Sequence, residues 1–302
     1  MPDFYRAIPD SFIEKLILEK AKGGWWADVL ADDTLFVALR GTYVDVYSRG
    51  QRLFQVREAT AGLNVETHEK YLINPDLRHT VRLGDGEFQI ADLQRYGFIP
   101  RYEGKSTLNA VKRASAYYAN SEREGCHTIA VNNQSVIDCE IAFSGWYQAD
   151  DGNDERHGKV DLAYLESDGD NVRLEAKHYD NNELRSDLRY DRPAPVCAQV
   201  ARYRNYLSTH RDIVLNSYVG VCKNLVALEK MGATRKPSPL ISSVAMGRPL
   251  ILDEIPKVGL IIFGFDEAQR DHARWQRHLK RLEHCISPSP IIIVGNPKDI
   301  QL

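Results

Sequence analysis

Residues 158–181, GKVDLAYLESDGDNVRLEAKHYDN, constrain the fold more than any other part of this chain. Two β-type runs flank Asp168-Gly169, a strong signal for a tight hairpin turn. A turn centred there pairs the runs antiparallel and sets Asp161 opposite residue 175 or 176. Along the second run, side chains alternate. Glu175 and Lys177 share one face, and Leu174 and Ala176 share the other. Two carboxylates and an ammonium thus converge within otherwise apolar strand sequence. Charges there are costly unless they are paired or bound to a metal. An ion pair on a solvated hairpin face would give the same triplet, and these residues alone leave both readings open.

The triplet suits phosphodiester hydrolysis. Asp161 and Glu175 offer hard oxygen ligands to Mg²⁺, with Mn²⁺ as a substitute, and leave positions for water and phosphate. Such a metal lowers the pKa of its water and offsets charge at the phosphoryl group. Lys177 can orient the attacking water or stabilise the developing negative charge. The formal net charge of −3 carries no general signal for polyanions, so any nucleic-acid surface is local.

Around this segment the pattern is that of an α/β chain. Residues 11–22 read as a short helix. Thr34–Leu39, Tyr43–Tyr47 and Arg52–Val56 read as a β-meander, separated by Arg40-Gly41 and Arg49-Gly50-Gln51. Residues 60–100 carry no clear period. A helix is expected over Ser106–Glu124, stopped by Gly125. Strands follow at Ser135–Ser144, Lys159–Glu166 and Asn171–Tyr179, the first two separated by the polar loop QADDGNDERHG. Helices are expected from Pro195 to about His210 and over Ile213–Met231. A strand at Val258–Phe265, a helix at Glu267–Cys285 and a strand at Pro290–Val294 complete the chain. A boundary near residue 100 divides it into a small β-rich N-terminal domain, 1–100, and a larger α/β domain, 101–302.

The motifs of the larger domain resemble the PD-(D/E)xK nuclease superfamily. Its signature is an Asp at the start of one core strand and (D/E)-x-K on the next, here Asp161 and Glu175-Ala176-Lys177. The family's αβββαβ order resembles the order read from residue 104 through about 265. Val160 stands where the family name has proline. In the helix after the E-x-K strand, Gln199 and Tyr203 share one face at i,i+4. The RecB-type branch carries such a Q-x-x-x-Y motif beside its metal site, where it positions the nucleic-acid backbone. The resemblance therefore implies a restriction-endonuclease-like core and an Mg²⁺-dependent nuclease. Its catalytic residues would be Asp161, Glu175 and Lys177, with Gln199 and Tyr203 positioning substrate.

The superfamily often adds an upstream acid to the metal site. Glu140, in VIDCEIAF, is the candidate, and the solvent side of a strand accounts for it equally. Alternation there places Asp138 and Glu140 on one face, with Ile137, Cys139 and Ile141 on the other. Glu183 and Asn181 are weaker candidates, and alternation turns His178 away. The implied substrate is DNA, with RNA as the alternative. A chain without a helicase suggests restriction or phage defence, an analogy of fold. The N-terminal domain could serve a homodimer or a partner protein. The rival reading is a non-catalytic nucleic-acid-binding or regulatory protein on a nuclease-like scaffold.

Arg270, Arg274, Arg277 and Arg281 form a cationic stripe opposite Trp275, Leu279, Leu282 and Ile286. With Lys105, Lys112 and Arg113, they suit either phosphate contacts or a solvated face. The five cysteines are scattered, fit no zinc or iron–sulfur spacing, and read as buried thiols of a reducing compartment. A charged N-terminus and the lack of a long apolar run predict a cytoplasmic protein without a membrane span. No phosphate-binding loop or nucleophile elbow is present.

Overall fold

The computed structural model describes residues 4–75, 83–84, 87–88, 97–142, 159–166 and 171–302. The expected 167–170 turn and the 148–158 loop lie outside them. Helices α1 (Asp10–Ala21) and α2 (Trp25–Leu30) precede four strands, β1 (Phe36–Leu39), β2 (Tyr43–Ser48), β3 (Gln51–Ala59) and β4 (Gly62–Glu66). These form an antiparallel meander in sequence order. The fourth strand adds to the three expected, pairing with β3 through Ala59↔Gly62. A 3₁₀ turn at Glu69–Leu72 and a short ribbon of β5 (Leu83–Gly84) with β6 (Glu87–Phe88) follow.

The single helix expected over Ser106–Glu124 is two, α3 (Lys105–Ala116) and α4 (Ser121–Asn132). Asn120 starts the second, its side chain accepting the Arg123 N–H. Gly125 therefore sits inside α4 and does not end it. Packing explains the residue: a Cβ there would lie 2.1 Å from the Phe263 ring.

The central sheet has five strands in the order β11-β10-β9-β8-β7. Its members are β7 (Val136–Ala142), β8 (Lys159–Leu165), β9 (Asn171–His178), β10 (Val258–Phe263) and β11 (Ile291–Ile293). The first three pair antiparallel, whereas β9–β10 and β10–β11 are parallel. Crossover helices α5 (Pro195–Thr209), α6 (Arg211–Lys230) and α7 (Pro239–Ala245) connect β9 to β10. Val196, Val200 and Leu207 of α5 share one core cluster with Leu260 and Ile262. Cys126, Ile129 and Ala130 of α4 share the other with Leu174, Ala176 and Ile261. The result is a mixed α/β protein with helices on both faces of the sheet.

The helix expected at Glu267–Cys285 is also divided, into α8 (Glu267–Asp271) and α9 (Ala273–Ile286). A capping box between Asp266 and Gln269 fixes the first turn. His272 is extended and caps α9 through the Arg274 N–H. Arg270 is thereby removed from the stripe, while Trp275, Leu279, Leu282 and Ile286 are buried as expected.

Cysteine pairing is a further correction. Cys197 of α5 and Cys285 of α9 form a disulfide with Cα atoms 6.0 Å apart. Only Cys126, Cys139 and Cys222 are free thiols, all buried. The two bonded residues are 88 positions apart, and only the packing of α9 on α5 brings them together. The compartment inferred from unpaired cysteines loses that premise. Among the described residues no helix is long and apolar enough to cross a membrane.

Side chains from before and after residue 100 share one core, Phe4 and Leu39 packing in the same cluster as Tyr218 and Ile137. A buried charge crosses the same junction. Asp138 is 1 % exposed. Its carboxylate accepts from Arg40 Nη1 at 2.5 Å and from the Tyr218 hydroxyl at 3.1 Å, with Arg6 Nε at 3.7 Å.

Candidate active site

The β8–β9 register runs Leu162↔Leu174 to Leu165↔Asn171, and one further step sets Asp161 opposite Glu175. Asp161 Oδ2 accepts the Ala176 N–H at 2.8 Å, which fixes the pairing. On the other side, Cys139↔Leu162 and Ile141↔Val160 set Glu140 opposite Asp161. Glu140, Asp161 and Glu175 thus occupy adjoining positions across three strands.

Regular alternation fails in β7. The register shifts between Val136 and Asp138, and Glu140 adopts a left-handed φ of 51°. Ile137 and Ile141 pack in one core cluster and Cys139 in the other, so the expected common face of these three is not formed. A non-glycine residue held in that conformation is strained, and such strain concentrates at functional sites.

Glu175 is 2 % exposed. Its Oε1 lies 2.8 Å from Lys177 Nζ, and its Oε2 is buried without a hydrogen-bond partner. Lys177 Nζ also lies 2.8 Å from Glu183 Oε2. Gln199 Nε2 donates to Glu183 Oε1 at 3.1 Å, leaving Gln199 Oε1 buried and unpartnered. The Tyr203 hydroxyl donates to the Lys159 carbonyl at 2.9 Å, bracing the strand end that carries Asp161. Both residues of the α5 pair therefore join the site, and Glu183, the weaker sequence candidate, links Gln199 to Lys177.

Burial raises the Asp161 pKa well above the carboxylate range, and the Glu175 charge raises it further, against the Lys177 ammonium and the Ala176 N–H. Burial likewise pushes Glu175 up, to about 7, despite Lys177. Burial alone would lower Lys177, but Glu175 and Glu183 outweigh it and hold the ammonium charged. Desolvation, then the nearby Glu175 and Asp161 charges, raise the Tyr203 phenol. The centre therefore gathers acids whose charged forms are disfavoured even with Lys177 beside them.

Among the described residues no group of three or more His, Cys, Asp or Glu side chains is placed to hold a metal ion. Mg²⁺ does not require one, because it is commonly held by one or two carboxylates and keeps several waters. The unpartnered Glu175 Oε2 and the mutual repulsion of Glu175 and Asp161 fit such a cation.

Sequence reasoning missed Glu122. From the first turn of α4 its Oε2 accepts from the His178 N–H at 3.0 Å and Asn181 Nδ2 at 2.7 Å. Its charge adds to the rise of the Glu175 pKa. Its place after the Asn120 cap is the only local signal, and nothing in that helix turn points to strand β9. His178 packs edge-on against Phe263, with ring centroids 5.9 Å apart. Of the basic residues, Lys112 pairs with Asp32 at 2.5 Å, Arg270 with Asp271 at 2.8 Å, and Arg281 with Asp191. No family model, curated protein or solved structure matches the chain.

Proposed function

We propose that the chain is a divalent-metal-dependent nuclease of PD-(D/E)xK type, in its RecB-like branch, hydrolysing phosphodiester bonds of DNA, with RNA as the alternative. The observation that carries this reading is the buried Glu175 beside the half-buried Asp161, both with raised pKa values despite Lys177, and with one Glu175 oxygen unpartnered. Asp161 and Glu175 would hold Mg²⁺ or Mn²⁺, with Glu140 as a third acid from β7. When bound, such an ion supplies an acidified water and neutralises phosphoryl charge.

The remaining roles belong to the protein's own side chains. Lys177, kept charged by two carboxylates, donates to a water or to negative charge developing on phosphate. Gln199 steadies that lysine through Glu183. Tyr203 holds the Lys159 carbonyl and, with it, the start of β8. A part in restriction or phage defence, with DNA as partner and a homodimer or second protein on the N-terminal sheet, follows from the resemblance.

The test is cleavage of supercoiled, linear and single-stranded DNA and of RNA, with Mg²⁺ or Mn²⁺. Wild-type protein is expected to cut, and Lys177→Ala and Asp161→Ala to lose cutting. Cleavage that survives both substitutions would sink the assignment. Tight binding without any cleavage would favour a non-catalytic binding protein.

A further inference from the structure

Beside the acid row a cavity of about 520 Å³ opens between the N-terminal sheet and the start of β8. That volume is within the range of small-molecule sites, roughly 300–1,000 Å³, and suits one nucleotide. Glu140 and Lys159 line it, so it borders the candidate active site at Glu140, next to Asp161 in the sheet.

Its walls divide by chemistry. Gln51 of β3 is 6 % exposed. Its Oε1 accepts from the Tyr71 hydroxyl at 3.1 Å, but its Nε2 has no partner. Thr67 Oγ1, also lining the cavity, is buried and unpartnered too. Buried donors left unpaired are costly, and both belong to side chains that line the cavity, so a rotation that brought them to a ligand's polar edge would relieve that cost. A primary amide reads a nucleobase edge, and with its oxygen held by Tyr71, Gln51 has its Nε2 donor to offer.

The charged wall suits phosphate. Arg52, Lys70, Arg123 and Lys159 outnumber Glu66 and Glu140. Lys159 already lies 3.4 Å from Glu140 Oε2. Lys70 Nζ sits 5.0 Å from the Tyr71 ring centroid. Arg123 is seated by Gly50, whose φ of 71° and 2.6 Å approach to Arg123 Cβ exclude any side chain there.

Building on the nuclease reading, we infer that this cavity seats one unpaired nucleotide of the substrate strand. Gln51 and Thr67 take its base, and Arg52, Lys70 and Arg123 take its phosphate. Glu140 and Lys159 join this seat to the acids that flank the bond to be cut. The seat requires a base out of the stack, so the preferred substrate is single-stranded or locally unpaired.

Fluorescence anisotropy in EDTA measures binding without cleavage. The probes are a single-stranded DNA oligonucleotide and the same strand scanned with single abasic residues. One abasic position is expected to weaken wild-type binding by about tenfold. Gln51→Leu is expected to lose the same factor and to become blind to that position. Arg52→Ala, at an exposed side chain, is expected to weaken intact and abasic strands alike and to reduce the salt slope by about one. That variant keeps the test open if Gln51→Leu fails to fold. A flat abasic scan in wild type, or Gln51→Leu binding as wild type does, overturns the inference. So does dAMP that binds through Gln51 but is not displaced by the oligonucleotide. Cleavage with Mn²⁺ separates the two ideas. If wild type cuts and neither the scan nor Gln51→Leu matters, the seat fails alone. If nothing is cut but binding depends on Gln51, the seat stands and the nuclease reading fails.

Discussion

The Asp161 carboxylate accepts the backbone N–H of Ala176 at 2.8 Å, which clamps it between Glu175 and Lys177 of the neighbouring strand. Asparagine keeps that acceptor and removes the charge. Asp161→Asn is therefore expected to abolish cleavage and yet raise the metal-free melting temperature at pH 8, because it removes a charge that desolvation, and then Glu175, disfavour. Each kcal/mol is about 2–4 °C in a chain of this size class. The stabilisation by Mg²⁺ should vanish. Scanning fluorimetry with and without Mg²⁺ checks both, and a lowered melting temperature in EDTA would contradict the prediction.

The pH dependence follows from Glu175, whose pKa rises from 4.5 to about 7 on folding. The folded state then holds a proton that the unfolded state has lost. Its contribution is full below pH 4.5 and disappears as pH rises through about 7. Urea denaturation of metal-free protein should show this loss, and Glu175→Gln should reduce it, leaving the part that Asp161, also raised, contributes. Mg²⁺ binding, which needs the carboxylate, should tighten over the same window.

Glu140 reverses a usual order of residue preference. Its φ of 51° costs an L-residue about 1–2 kcal/mol, a penalty glycine escapes. Glu140→Gly should be more stable than Glu140→Ala by about 1 kcal/mol in urea titrations. Both should cleave more slowly than wild type if Glu140 serves the metal. Alanine proving the more stable would show that the left-handed turn in β7 is not kept in solution.

The disulfide between Cys197 and Cys285 closes a long loop and ties α9 to the helix that carries Gln199 and Tyr203. Removing such a link costs about 2–4 kcal/mol. The double variant Cys197→Ala, Cys285→Ala should lose roughly that stability. Thiol titration of unreduced, denatured protein should find three thiols, and five would refute the bond.

What was legible in the sequence was local. The register that joins Asp161 to Glu175 follows from Asp168-Gly169 and from alternation, both short-range. Gln199 and Tyr203 follow from one helical turn. What was not legible depends on distant partners. Gly125 reads as a stop signal, and only Phe263 explains it as a packing site. Glu122 and Glu183 reach the site through contacts their own segments do not encode. The break at His272 lies within an amphipathic period that continues on both sides of it. Ser238 followed by Pro239 was a readable start for α7, since that serine accepts the Ile241 N–H.

Asp138 has consequences for dissection. Its countercharges, Arg40 and Arg6, come from the first forty residues, while the acid itself lies in the central sheet. Breaking a buried pair by removing one partner costs about 3–5 kcal/mol. A truncated chain starting near residue 100 would strand that acid. The central sheet is therefore not a portable cassette, and grafting it onto another scaffold requires the two arginines or an apolar residue in place of Asp138.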